Sequence, residues 1–285
     1  HFLSVASVAV VAGKGGVGKT TVTAVLACAA VRKSLRVLVV ELDGKPTLAG
    51  LLASMAPEVS CLTITATDAL AEYLDTHGLK RVSRRLISSG VIDVVATAAP
   101  GIDDIVVLGK IKQLERSGDY DLILVDGPAA GHAITFLQSA VGMLATVRGG
   151  PLHTQATEVA AMLTDPARTQ VILVTLPETT PVNEAVETAY ALEDRVGVHL
   201  GPVVVNAVDI GDDLPAEAAA PGSALRAAAE FRNSRRMLHR AECARLAVEL
   251  ALPQLHVPLH GGSDLGPAAV EQMAALLAGA LVDDQ

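Results

Sequence analysis

The chain has 285 residues, enough for one large or two small domains around a sizeable buried core. Acidic residues outnumber basic ones 31 to 22, and the net charge of −9 disfavours a broad face for DNA or RNA. Hydrophobic residues reach 51% and mean hydropathy is +0.43, yet Gly, Pro and charge interrupt every apolar run before the roughly 20 residues of a membrane span. Three isolated cysteines, Cys28, Cys61 and Cys243, make neither a C-x-x-C zinc clamp nor a disulfide framework, which suits a reducing cytosol. The chain opens on His1 rather than Met, so leading residues are expected to be missing. The uncharged run to Ser7 is too short for a signal peptide.

Strand and helix patterns alternate along nearly the whole chain. A β-branched strand is predicted over 5–12, then an Ala-rich helix over 19–33 and a strand over 36–42. The next stretch, 47–118, is mainly helical (67–87 and 102–117) and too long for a simple crossover, so it reads as a helical insertion or lid. A strand at 121–126, helices at 131–146 and 153–164, a strand at 170–176, a helix at 182–195 and a strand at 201–206 follow. The part 212–250 is again helix-rich, with a helix over 222–250 carrying Arg226, Arg232, Arg235, Arg236, Arg240 and Arg245. These arginines read as a solvated face rather than an anion- or partner-binding one. A strand at 254–257 and a helix at 266–281 close the pattern. The alternation implies an α/β doubly wound, mostly parallel sheet in a single domain, 1–285, with 47–118 and 212–250 as its helical subdomain.

One motif sits where its mechanism needs it. Gly13-Lys14-Gly15-Gly16-Val17-Gly18-Lys19-Thr20-Thr21 matches G-x-x-x-x-G-K-[ST] between the first strand and the first helix. Such a P-loop points backbone N–H groups and a helix N-terminus at one spot, where a polyphosphate binds. Lys19 is placed to reach the β- and γ-phosphates and the Thr20 hydroxyl to coordinate Mg²⁺. The apolar strand Tyr120 to Asp126 ends in a carboxylate suited to the same metal. Asp43, at the end of Arg36 to Asp43, is a second carboxylate at that sheet edge, to hold Mg²⁺ or orient an attacking water. Glu41, one period-two step earlier, is its rival. Lys14 is unusual, because like charge beside Lys19 is costly unless phosphate neutralises both. It suggests a site with extra negative charge, reached within the loop or across an interface; the alternative is a solvated loop lysine.

These segments resemble the deviant-Walker P-loop ATPases, which include division-site and partition proteins and nitrogenase iron protein. Within that group the chain is most similar to the arsenite-pump and tail-anchored-protein-targeting ATPases. Gly13 to Thr21 looks like their signature loop. Asp126-Gly127-Pro128-Ala129-Ala130-Gly131-His132 resembles a switch segment, with Ala130 for the usual Thr. Pro100-Gly101-Ile102-Asp103-Asp104 resembles a helix start of the helical subdomain. Leu108-Gly109-Lys110-Ile111-Lys112 and Gly149-Gly150-Pro151-Leu152-His153 look like an actinobacterial branch of short members. The resemblance implies that ATP or ADP binds with Mg²⁺ held by Thr20, Asp43 and Asp126. Lys14 acts catalytically on the partner's nucleotide in a dimer, and Asp43 orients water. Asn206 is implied to read adenine, with Pro258 and Leu259 packing on the base.

Departures shape the functional expectation. The family's Asp-Pro-Ala-His-Ser is here Asp43-Gly44-Lys45-Pro46-Thr47, and neither the zinc C-x-x-C nor a thiolate cluster for arsenite is present. Met55, Met143, Met162, Met237 and Met273 are scattered rather than grouped as a cargo groove. The expected protein is a cytoplasmic Mg²⁺-dependent ATPase, a homodimer or a heterodimer with a paralogue, whose opening and closing changes a helical surface that takes protein cargo. It binds no nucleic acid and inserts in no membrane. The alternative is a nucleotide-binding regulatory subunit with negligible turnover, paired with a paralogous ATPase. A DNA- or membrane-riding protein is disfavoured by the charge and the tail Val270 to Gln285, which lacks Lys and Arg. A small-molecule kinase is disfavoured by Lys14.

Overall fold

The computed structural model describes residues 2–42, 47–88, 101–262 and 266–280. After a short 3₁₀ turn at Phe2–Ser4 comes strand β1 (Val8–Gly13), every residue of which is buried. Val5, expected at the start of this strand, is half exposed ahead of it. β1 lies between β4 (Leu122–Ala129) and β5 (Thr169–Thr175), and both pairings are parallel. Covered on both faces, these strands read as continuous runs of Val, Ile and Leu rather than as an alternation.

The sheet continues on one side through β2 (Val37–Glu41) to β3 (Ser60–Thr63), and on the other through β7 (Val203–Val208) to β8 (Gln254–Pro258). A two-residue strand β6 (His199–Leu200) adds to β5. Every described pairing is parallel. This is the expected α/β sheet. Strands β3 and β6 were not expected: β3 is a half-buried four-residue edge and β6 has two residues, too short for either to carry a periodic signal. The stretch read as a helical insertion therefore begins with α2 (Thr47–Ala53) and β3, which extend the sheet before the chain turns helical.

One face of the sheet is covered by α1 (Lys19–Val31), α2 and α10 (Pro267–Ala280). Helix α1 buries nine successive residues from Val22 to Ala30, four of them Ala, so it fits between the sheet and α10. The opposite face carries α3 (Ala66–Thr76), α5 (Ile102–Ser117), α6 (Ala130–Thr146), α7 (Pro151–Thr164) and α8 (Thr179–Val196). The long helix predicted over 67–87 is two, α3 and α4 (Lys80–Ser88), because Gly78 takes a left-handed φ of 80° between them. The 212–250 part is a loop with one 3₁₀ turn, then α9 (Ala224–Glu249), started by Ser223 whose hydroxyl accepts from Arg226 N–H at 3.2 Å.

The chain runs outward from β1 to β2 and β3, returns to β4, and then crosses β1 to β5. That reversal opens a crevice at the carboxyl ends of the strands, where ligands bind in open α/β sheets. The glycine loop stands in it.

Candidate functional site

The loop's shape follows from its glycines. A Cβ on Gly13 would lie 2.3 Å from the Val174 carbonyl oxygen, so only Gly lets β1 run this close to β5 here. Gly18 has φ 89° and serves as the N-cap of α1, where it supplies no side chain to cap the first-turn N–H groups. Gly15 and Gly16 are exposed, with open space where side chains would be. The loop therefore presents bare backbone, as an anion cradle requires. Lys19 Nζ curls back over it, donating to the carbonyls of Gly13 and Lys14 at 3.2 Å each. Val17 is buried beneath the loop, while Thr20 and Thr21 follow, half-buried, in the first turn of α1.

Strand β4, expected to end at Asp126, runs on to Ala129, and the Asp126 carboxylate meets helix α1 from within it. Thr20 Oγ1 donates to Asp126 Oδ2 at 2.8 Å, and Thr23 Oγ1 donates to Oδ1 at 3.3 Å. A hydroxyl and a carboxylate beside a phosphate cradle form the hard-oxygen donor set that Mg²⁺ takes, so the residues present fit that ion. Thr23 escaped the sequence reading, although its i+3 spacing from Thr20 puts both on one face of α1. Gly127 follows because a Cβ there would sit 2.5 Å from the Val11 carbonyl oxygen. Asp43 lies outside the described residues, with Gly44, Lys45 and Pro46. Pro100 of the Pro-Gly-Ile-Asp segment also lies outside them.

Lys14 leaves the loop and forms an ion pair with Glu184 of α8, Nζ to Oε1 2.5 Å. Its side chain stays 40% exposed, paired to α8 rather than turned to its own loop. Beside the pair a cleft of about 470 Å³ opens, lined among others by Gly15, Gly131, Glu187 and Arg195. The 170 residues separating Lys14 from Glu184 left no signal in the sequence.

The three candidate base-contacting residues converge at neighbouring strand ends. Val208 of β7 pairs with Pro258 of β8, and Leu259 N–H donates to the Val208 carbonyl at 2.8 Å. Asn206 also holds the loop: its Nδ2 donates to the Val17 carbonyl at 2.9 Å and its Oδ1 accepts from Ala207 N–H at 2.9 Å.

A second pocket of about 310 Å³ lies at the ends of β2 and β4, lined by Leu42, Asp104, Pro128 and His132 among others. Burial, helped by the negative charge of Asp103, pushes the Asp104 carboxyl up to about 6, while His132 works against the shift.

Residues 6–148, about half of the chain, match the model of the anion-transporting ATPase family. The ATPase BagA of Mycobacterium tuberculosis is 33% identical over 217 residues, covering 69% of this chain and 63% of that protein. An arsenical pump-driving ATPase of Escherichia coli is 30% identical over 213 residues, covering 70% of this chain and 34% of that protein. The ATPase get3 of Schizosaccharomyces japonicus is 30% identical over 165 residues, covering 51% of this chain and 50% of that one. The chain thus spans less than two thirds of the length of these relatives.

Proposed function

The chain belongs to the anion-transporting ATPase family, and from that premise we propose that it binds Mg²⁺·ATP at the glycine loop and hydrolyses it to ADP and phosphate. The observation that carries this reading is the 2.8 Å contact of Thr20 with Asp126, which joins the first turn of α1 to β4, 106 residues apart, beside the glycine loop. In it, Gly13 to Thr21 hold the phosphates and Lys19 neutralises the β- and γ-oxygens. Thr20 and Asp126 hold Mg²⁺, which supplies charge neutralisation at the phosphates. Asp43 completes that set and orients the attacking water, and Asn206, Pro258 and Leu259 receive adenine.

The working unit in this reading is one P-loop domain with 47–118 and 212–250 as its helical part. Two such units, alike or paralogous, face each other in the cytoplasm. Lys14 exchanges Glu184 for phosphate of the partner's nucleotide, and the helical surface changes with opening and closing to serve a protein cargo. A metalloid pump fits poorly. Cys28, Cys61 and Cys243 stand on α1, β3 and α9, and burial pushes each thiol upward, Cys28 to about 11, away from the thiolate that a soft ion needs.

The test is single-turnover ATP hydrolysis by wild type and Asp43→Asn, with Asp126→Asn beside them. Background rates in all three would remove the enzyme reading. The regulatory subunit with negligible turnover would replace it, a reading favoured by the in-chain partner of Lys14. For the dimer, Lys14→Ala is expected to reduce the ATP-dependent dimer fraction in light scattering more than it weakens ADP binding.

A further inference from the structure

We propose that Glu41 is a metal-shell residue of this site, its second carboxylate oxygen standing with Asp126 around the divalent cation that accompanies the nucleotide. The inference rests on the nucleotide-site reading above and adds a residue that neither the loop nor the strand motif contains.

Glu41 is the last residue of β2 and pairs in register with Asp126 of β4. Paired residues of parallel strands project to the same face, and strand spacing puts them about 5 Å apart. That face is the one covered by α1: Val37 and Val39 of β2 and Leu122 and Leu124 of β4 all belong to the core beneath it. Asp126 meets Thr20 and Thr23 of α1 there. Two carboxylates thus share one end of the sheet under the first turn of the same helix.

Glu41 is only 4% exposed. Its Oε1 accepts from Leu48 N–H at 2.8 Å, which ties the end of β2 to the start of α2. Its Oε2 is buried and has no hydrogen-bond partner among the described residues. A buried carboxylate oxygen without a donor is costly, and a second carboxylate on the neighbouring strand adds repulsion. Capping alone leaves this unexplained, because a neutral glutamine offers Leu48 the same acceptor. A divalent cation relieves both costs: it gives the orphaned oxygen a partner, directly or through a bound water, and it turns the like-charge pair into a ligand set.

The test reads metal binding rather than turnover. Mn²⁺ binding to the ADP-loaded protein is followed by electron paramagnetic resonance, and ADP binding in EDTA by calorimetry. Glu41→Gln, which keeps the Leu48 acceptor, is expected to weaken Mn²⁺ binding about tenfold while leaving ADP binding in EDTA unchanged. Glu41→Met, of similar length and without a charge, is the second variant should the first not fold; the same loss is expected. Wild-type Mn²⁺ affinity in the folded variant would overturn the assignment and leave Glu41 a cap for α2. Should wild-type ADP binding be indifferent to Mn²⁺, and Thr20→Ala silent as well, the nucleotide-site reading falls and this inference with it.

Discussion

The β1–loop–α1–β4 wedge and the long helix α9 use polar side chains in opposite ways. In the wedge they are few, half-buried or buried, and joined to partners far along the chain: Thr20 to Asp126, and the Val17 carbonyl to Asn206 of β7. Along α9 they are many and mostly near the surface. Arg226 pairs with Glu230, Arg232 with Asp209, Arg235 with Glu178, and Arg245 with Glu242 and Glu249. Of the six arginines expected on a solvated face, Arg235 and Arg240 are exposed, while Arg226, Arg232 and Arg245 are half-buried in ion pairs, so the expectation is met in part. Arg236 departs from it, at 3% exposed and bonded to Asp213. Helix α9 also exposes Leu225, Phe231, Met237, Leu238 and Val248, whereas the wedge is packed tightly enough that Gly13 and Gly127 admit no Cβ. Polar groups set in close packing hold one geometry, and groups on a wet helix face do not.

The contrast breaks most visibly in the wedge. Lys19→Ala is expected to lower single-turnover hydrolysis about 1000-fold with the fold intact, read by rapid quench beside circular dichroism. A rate within tenfold of wild type would remove the loop from the chemistry. Gly13→Ala sets a methyl against the Val174 carbonyl and is expected to cost about 2 kcal/mol in urea unfolding.

The pocket at the ends of β2 and β4 sharpens the comparison through pH. The Asp104 carboxyl is raised in the fold, so folding favours its protonated form. Its contribution is fully present below the ordinary value of 3.8 and is lost as pH rises through about 6. Asp104→Asn is therefore expected to raise stability at pH 7.5 by about 1 kcal/mol, discounted for partial exposure, with the gain vanishing below pH 4. Thermal melts across that range check it, and a gain that persists at pH 3.5 would point to packing instead. The smallest effect belongs to α9. Arg226→Ala removes an i,i+4 pair on a wet face and is expected to change unfolding free energy by less than about 0.5 kcal/mol.

How much was legible depended on how local each signal was. The place of the glycine loop between β1 and α1 was readable because its motif fixes the spacing of strand, loop and helix. Helix 102–117 was readable to the residue because Gly101 and Gly118 bound it, both at positive φ. Strands β3 and β6 were not, since edge strands of four and two residues are held by their neighbours rather than by their own pattern. Helix 67–87 was overextended because Gly78 looks like one tolerated glycine in a helical run and acts as a left-handed stop. Thr23 was within reach of helical spacing, but Glu184 was not.

The amino-acid sequence alone determined the glycine loop between strand and helix, the strand that carries Asp126 and the alternating α/β plan. Each of these is written in contiguous residues, and backbone sterics and hydrophobic period act over that range. Only the tertiary structure decided that Asp126 stands beside Thr20, that Lys14 meets Glu184 and that Asn206 holds Val17, contacts 106, 170 and 189 residues apart. Those meetings follow from strand order and register, which are set by burying both faces of the sheet at once, and no local pattern encodes that requirement.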